Sequence, residues 1–162
     1  MEKTITFYKS PIGTIKIEGD EQGIRMIHLM DQEAGTSQSD SPILNECVQQ
    51  LDEYFQHKRH RFDLKLNPQG TPFQQRVWTA LQEIPLGKSL SYLALSRILG
   101  NEKAIRAIAS ANGQNPLAIV IPCHRVIGSD GSLTGYAGGL WRKEWLLRHE
   151  KNEGFLQTKL FE

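Results

Sequence analysis

Cys123 and His124 stand side by side, with Pro122 before them and Arg125 after. A thiol acts as a nucleophile in its thiolate form, and a neighbouring imidazolium or guanidinium raises the thiolate fraction. Proline fixes its own φ, so the thiol that follows it can be aimed. The apolar run Leu117–Ala118–Ile119–Val120–Ile121 leads into this bend and reads as a buried strand. A cysteine after such a run ordinarily packs as a small hydrophobe. The polar and charged residues directly after it argue instead for a reactive thiol. So does the glycine- and aromatic-rich chain downstream, which has the composition of a pocket wall.

The elements around this bend fall in two halves. In the first, residues 4–9, 14–18 and 23–29 alternate apolar and polar as strands do, and Ser10–Pro11–Ile12–Gly13 is a turn signal between the first two. Ser41 and Pro42 are an N-cap and first helical residue, followed by an apolar stripe through Val48, Leu51 and Phe55. Residues 62–66 alternate again and predict a last strand. This half carries no chemistry: His28, His57 and His60 lack metal-ligand spacing.

Asn67–Pro68–Gln69–Gly70 is a linker. Thr71, Pro72 and Gln74 together predict a helix start with a capping box. Two short helices follow, over residues 93–99 and 102–111, joined by Gly100–Asn101; this is a helix-turn-helix pattern. On the second, Ala104, Ala107 and Ala111 share a face beside Arg106. A strip of methyl groups lets a helix come close to a narrow surface such as a DNA minor groove. Packing of one helix on another is the alternative reading of the same strip. Asn115 precedes a proline in a turn-rich stretch. Gly135–Tyr136–Ala137–Gly138–Gly139 is a loop whose glycines permit close backbone approach to a ligand. Residues 141–150 form a closing amphipathic helix, and 151–162 a polar tail.

Pro122–Cys123–His124–Arg125–Val126 resembles the active-site signature of the O6-alkylguanine-DNA alkyltransferases, also called methylated-DNA–protein-cysteine methyltransferases. The similarity extends from about Thr71 to Glu150, half the chain. It implies an α+β fold in two parts. A small N-terminal α/β module of ribonuclease-H-like appearance spans 1–68, and a mostly helical, winged-helix-like helix-turn-helix domain spans 71–162. It implies transfer of an alkyl group from O6 of guanine in double-stranded DNA to Cys123, once per molecule, and leaves activity on O4-alkylthymine open. The base must leave the stack to be attacked.

In that scheme His124 is the base, Glu150 orients it, Asn115 fixes the backbone near the thiol, and Tyr92 supplies a proton to the leaving guanine. Arg106 takes the place of the flipped nucleotide, and Ala104, Ala107, Ser91 and Ser129 face the DNA. Val126, Tyr136 and Ala137 line the pocket; many relatives carry serine where Ala137 stands. Some members bind a structural zinc in the N-terminal part. With only Cys47 and Cys123 in the chain, neither a metal nor any other cofactor is expected.

Net charge is +1. Residues 1–70 hold 8 Lys/Arg against 11 Asp/Glu, net −3, and residues 71–150 hold 9 against 5, net +4. A polyanion is expected to meet the second half. The two distant cysteines form no disulfide framework. With no apolar leader at the N-terminus and no long apolar run, a monomer in the reducing cytoplasm, away from membranes, is expected. Competing readings are a lesion-binding protein without transfer, a cysteine hydrolase, and a helix-turn-helix regulator with an inert cysteine.

Overall fold

The computed structural model describes residues 3–35, 37 and 39–159. They form two compact units. The first comprises residues 1–69 together with Pro116–Ala118, and the second comprises Gly70–Asn115 and residues 119–162.

In the first unit, β1 (Thr4–Ser10), β2 (Gly13–Asp20) and β3 (Gly23–Leu29) make an antiparallel meander. Register pairs Thr6 with Ile17 and Ile17 with Ile27. Gly13 closes the first hairpin at φ 107°, a conformation that glycine adopts without steric cost. Ile15, Ile17, Ile24 and Ile27 are buried, together with Leu44, Cys47 and Leu51 of α1 (Pro42–Phe55). The Ser41 hydroxyl accepts from the Leu44 N–H and caps α1, as the serine–proline pair predicts. The alternating stretch 62–66 does not become a strand. It makes one parallel bridge, Leu66 to Ile24, flanked by Ile24 N–H donating to Lys65 O (2.8 Å). A second bridge joins Leu117 to Ile27.

In the second unit, α2 (Pro72–Leu81) begins with the expected capping box. The Gln74 N–H donates to Thr71 Oγ1 (3.1 Å), and the Thr71 N–H donates to Gln74 Oε1 (2.9 Å). Then come β4 (Leu90–Ser91), α3 (Tyr92–Ile98), a 3₁₀ turn over Glu102–Ala104, and α4 (Ile105–Gly113). Trp78 is buried and its indole N–H donates to Ala111 O (2.9 Å), which ties α2 to α4. The expected alanine face is split. Ala104 lies in the 3₁₀ turn, Ala107 is exposed, and Ala111 is buried against α2.

After a 3₁₀ turn over Cys123–Arg125, the short β5 (Val126–Ile127) pairs in parallel with β4, Leu90 with Val126 and Ser91 with Ile127. α5 (Leu140–His149) and α6 (Glu153–Lys159) close the unit. The tail holds more structure than its polar composition suggests: Phe155 is fully buried against Ile127 and Leu147.

The apolar run before Cys123 is also not a strand. Leu117 makes its single bridge, residues 118–120 turn, and Ile119 sits at φ 72°. A β-branched residue rarely adopts that region. Its side chain is buried, at 1% exposure, and packing holds it there.

Candidate active site

The bend that carries Cys123 is built by three backbone hydrogen bonds. Pro122 sits at φ −83°, ψ 63°, the inverse γ-turn conformation, and the Cys123 N–H donates to Ile121 O (2.8 Å). The Arg125 N–H donates to Pro122 O (3.0 Å), and the Val126 N–H returns to Cys123 O. Asn115 Nδ2 donates to Ile121 O (2.7 Å), so that one carbonyl is held from two sides. Asn112 Nδ2 reaches Cys123 O at 3.5 Å from α4.

His124 is fully buried. Its Nε2 lies 2.7 Å from Glu150 Oε2, and its Nδ1 has no hydrogen-bond partner among the described residues. An ionised carboxylate only accepts, so Nε2 carries the proton and Nδ1 keeps its lone pair. Burial pushes the imidazole below its ordinary value despite Glu150, so at neutral pH it is an uncharged base. Glu150 is held from the other side by Arg125, whose Nε donates to Oε1 (2.9 Å) and Nη2 to Oε2 (3.1 Å). Arg125 Nη1 donates to Ile84 O (2.6 Å). Burial opposes the charge on Glu150, but His124 and Arg125 outweigh it and hold the carboxyl well below the usual range.

Cys123 is 6% exposed. Burial raises its thiol, while a hydrogen bond involving Asn115 and the charge of Lys143 act to lower it. Cys47 is buried in α1, and burial alone pushes its thiol up to about 12.

Tyr92, at the start of α3, reaches Thr134 in the loop before α5. Its hydroxyl lies 3.5 Å from Thr134 O and accepts from Thr134 Oγ1 at 3.3 Å. Lys143 Nζ donates to the same carbonyl (3.0 Å), and Arg142 Nη1 donates to Gly138 O (2.9 Å), so α5 holds both ends of the loop. A cavity of about 420 Å³ opens between α4 and this loop, lined by Tyr92, Arg106, Ala109, Gly113 and Gly135 among others.

Of the residues singled out in the sequence, the structure joins His124 to Glu150, ties Asn115 to the bend that carries Cys123 through the Ile121 carbonyl, and sets Tyr92 and Arg106 on one cavity. Small residues do face that cavity, but they are Ala109 and Gly113 rather than Ala104 and Ala107. The Ser91 hydroxyl caps α3 by accepting from the Ala94 N–H (3.0 Å). Ser129 is exposed in the turn after β5. Val126 is fully buried, Ala137 is exposed, and the enclosed Tyr136 hydroxyl has no hydrogen-bond partner among the described residues. Burial, with the charges of Cys123 and Glu150, holds that phenol protonated. No cluster able to hold a metal occurs among the described residues.

The second clamp on Glu150 and the buried Lys143 escaped the sequence reading. A signal was there: Lys143, Leu146, Leu147 and Glu150 follow an i, i+3, i+4, i+7 stripe that turns all four inward.

Comparison with known proteins agrees with this geometry. Residues 4–68 match the ribonuclease-like domain of 6-O-methylguanine DNA methyltransferase, and residues 72–152 match its DNA binding domain. The methylated-DNA–protein-cysteine methyltransferase of Methanosarcina acetivorans is 46% identical over 148 residues, 88% of this chain and 95% of the relative. A crystal structure of Mycobacterium tuberculosis O6-methylguanine methyltransferase superposes with a TM-score of 0.84 at 38% identity, covering 99% of this chain and all of that one. The Mycobacterium tuberculosis OGT in complex with DNA gives 0.81 at 42% identity, over 90% of this chain and 91% of its own. A chain that matches both domain models and holds its cysteine, histidine and glutamate in this arrangement belongs to the 6-O-methylguanine DNA methyltransferase family.

Proposed function

We propose that this protein repairs DNA by direct reversal, moving the alkyl group of an O6-alkylated guanine onto Cys123 Sγ. The observation that carries the reading is the buried His124, with Nε2 committed to Glu150 and Nδ1 left as a base, adjacent to Cys123. Its relatives are named for this transfer, and one is solved with DNA.

The chemistry follows from the groups present. The Sγ proton passes to His124 Nδ1 through a water, and Glu150 stabilises the imidazolium. The thiolate attacks the alkyl carbon; the S–C bond forms as the C–O6 bond breaks. The electron pair moves onto the guanine, where Tyr92 is the proton donor. The product is a thioether, which has no easy hydrolytic exit, so each molecule acts once.

Guanine O6 lies inside the stack, so the nucleotide has to be swung out. The cavity beside α4 is the receiving space, and the exposed Arg106 at its rim fills the gap left in the duplex. The net +4 of residues 71–150 suits the phosphates. The second unit holds every group named, so the protein works as a monomer. The thiol requires a reducing compartment, which places it inside the cell. No helix among the described residues is long and apolar enough to cross a membrane.

The test is the intact-protein mass after mixing with a duplex containing one O6-methylguanine. One methyl group per protein, mapped to Cys123 and going no further, is expected. O4-methylthymine in the same duplex measures the second substrate. An unchanged mass with the lesion still bound would make this a lesion-binding protein and overturn the transfer.

A further inference from the structure

Asn112 is buried, at 2% exposure, near the C-terminal end of α4. Its Nδ2 reaches the Cys123 carbonyl at 3.5 Å, the long limit of a hydrogen bond. Its Oδ1 has no hydrogen-bond partner among the described residues. A carboxamide can donate twice and accept twice, so most of this one's capacity is idle. A buried polar atom without a partner costs stability, and a native site that keeps one ordinarily holds a water or a ligand there.

Two placements favour the ligand. Asn112 lies three positions after Ala109 and directly before Gly113, and both of those residues line the cavity beside α4. Residues at i, i+3 and i+4 share one face of a helix, so Asn112 belongs to the face that borders the cavity. Through its amide it also meets the residue that carries the thiol. Asn115, by contrast, is already committed to Ile121 O (2.7 Å).

The chemistry of an alkylated base says what such an amide can read. Alkylation at O6 removes the N1 proton of guanine. Along that edge the base then shows the alkylated oxygen, a bare ring nitrogen, and the amine at C2. O4-alkylthymine repeats the order, an alkylated oxygen and a bare ring nitrogen, but its C2 group is a carbonyl. The two lesions match in outline and differ at C2, where guanine donates and thymine accepts. A base whose alkyl carbon has reached Sγ carries its C2 group into the same pocket, one ring nitrogen away.

We propose, resting on the transfer to Cys123, that Asn112 reads the C2 group of the alkylated base and does so in both senses. Oδ1 accepts from the guanine amine, and the turned-over amide presents Nδ2 to the thymine carbonyl. The two orientations of a carboxamide have nearly the same shape, so no neighbour has to move. The long contact to Cys123 O is little to give up. Turning over does set Oδ1 against that carbonyl, which makes guanine the preferred lesion. An apolar side chain at this position would serve neither base.

The experiment measures single-turnover rates of methyl transfer from three duplexes that differ in one base. They contain O6-methylguanine, O4-methylthymine, or O6-methylhypoxanthine, which is the guanine lesion with hydrogen at C2. Wild type is expected to take the guanine lesion roughly tenfold faster than the hypoxanthine one, the effect of leaving a buried acceptor unpaired. It is expected to take the thymine lesion too, more slowly than guanine. Asn112→Leu has a similar shape and no amide. It is expected to bring the guanine rate down to the hypoxanthine rate, and to slow the thymine lesion relative to hypoxanthine by roughly tenfold.

Ratios within one protein cancel any loss of folded material. A purely structural role for Asn112, or a water held on Oδ1, would leave them unchanged and overturn the proposal. A wild type that takes the guanine lesion and ignores the thymine one would overturn it as well. If Asn112→Leu does not fold, Asn112→Ala is measured in the same way. Wild type by itself also decides, since equal rates on guanine and hypoxanthine lesions would mean that C2 is not read. A wild type silent on all three lesions defeats the repair reading and this inference with it. A wild type that transfers, with ratios that hold in the variant, defeats this inference alone.

Discussion

At the scale of single residues, Glu150 is the side chain on which most depends. His124 and Arg125 share its two oxygens, and all three residues are buried. Its carboxyl titrates well below its unfolded value of about 4.3. The sign of the linkage follows: the folded state binds fewer protons there, so the stabilisation is fully present above about pH 4 and is lost as pH falls below it. Glu150→Gln removes this dependence and leaves Arg125 as an unpaired buried charge, at a cost of about 3–5 kcal/mol at neutral pH. Urea unfolding at neutral pH and near pH 3 checks both points. The gap between wild type and Glu150→Gln is expected to narrow in acid, and a constant gap would contradict the linkage. Transfer by Glu150→Gln is expected to slow by about a hundredfold or more, because the imidazolium loses its stabilising charge. A single-turnover rate close to wild type would remove Glu150 from the mechanism.

At the scale of elements, the bend before Cys123 and the helix beside the cavity invite separate tests. Ile119 holds a left-handed backbone that glycine adopts freely and alanine does not. Both Ile119→Gly and Ile119→Ala lose the buried side chain. The glycine variant is nevertheless expected to be the more stable of the two by about 1 kcal/mol, the reverse of their usual order. Thermal unfolding of the pair decides it. For α4, Arg106→Ala is expected to weaken transfer from duplex DNA far more than transfer from a free alkylated guanine, measured as two rates. Equal losses would argue against a role in holding the base out.

The elements also show what can be read from a chain and what cannot. Local chemistry was legible: the Ser41 and Thr71 caps and the hairpin turn at Gly13 each depend on residues within four positions. The signature around Cys123 singled out Cys123 and His124, which the structure sets in one 3₁₀ turn. The left-handed Ile119 was not legible, because isoleucine is a strand former and only tertiary packing turns it. Residues 62–66 have the alternation of a strand but one bridge to show for it, since pairing is decided by the neighbour and not by the pattern. Lys143 reads as surface until the partners of α5 are known.

At the scale of the whole molecule, the division of labour follows the charge. The first unit, with net −3 in residues 1–70, holds the three-stranded sheet, α1 and the buried Cys47. The second holds Cys123, His124, Glu150 and the cavity. The division is not sequential, however. Pro116–Ala118 belongs to the first unit, where the Ile27 N–H donates to Pro116 O (2.8 Å) and the Ala118 N–H donates to Ile27 O (3.2 Å). During synthesis the meander and α1 leave the ribosome early, yet β3 around Ile27 keeps an open edge until residue 118 has been added. Open strand edges are where nascent chains stick to one another. The segment that finally covers this one runs, within five residues, into Cys123. The chain that completes the first-made unit and the chain that aims the thiol are therefore one short length.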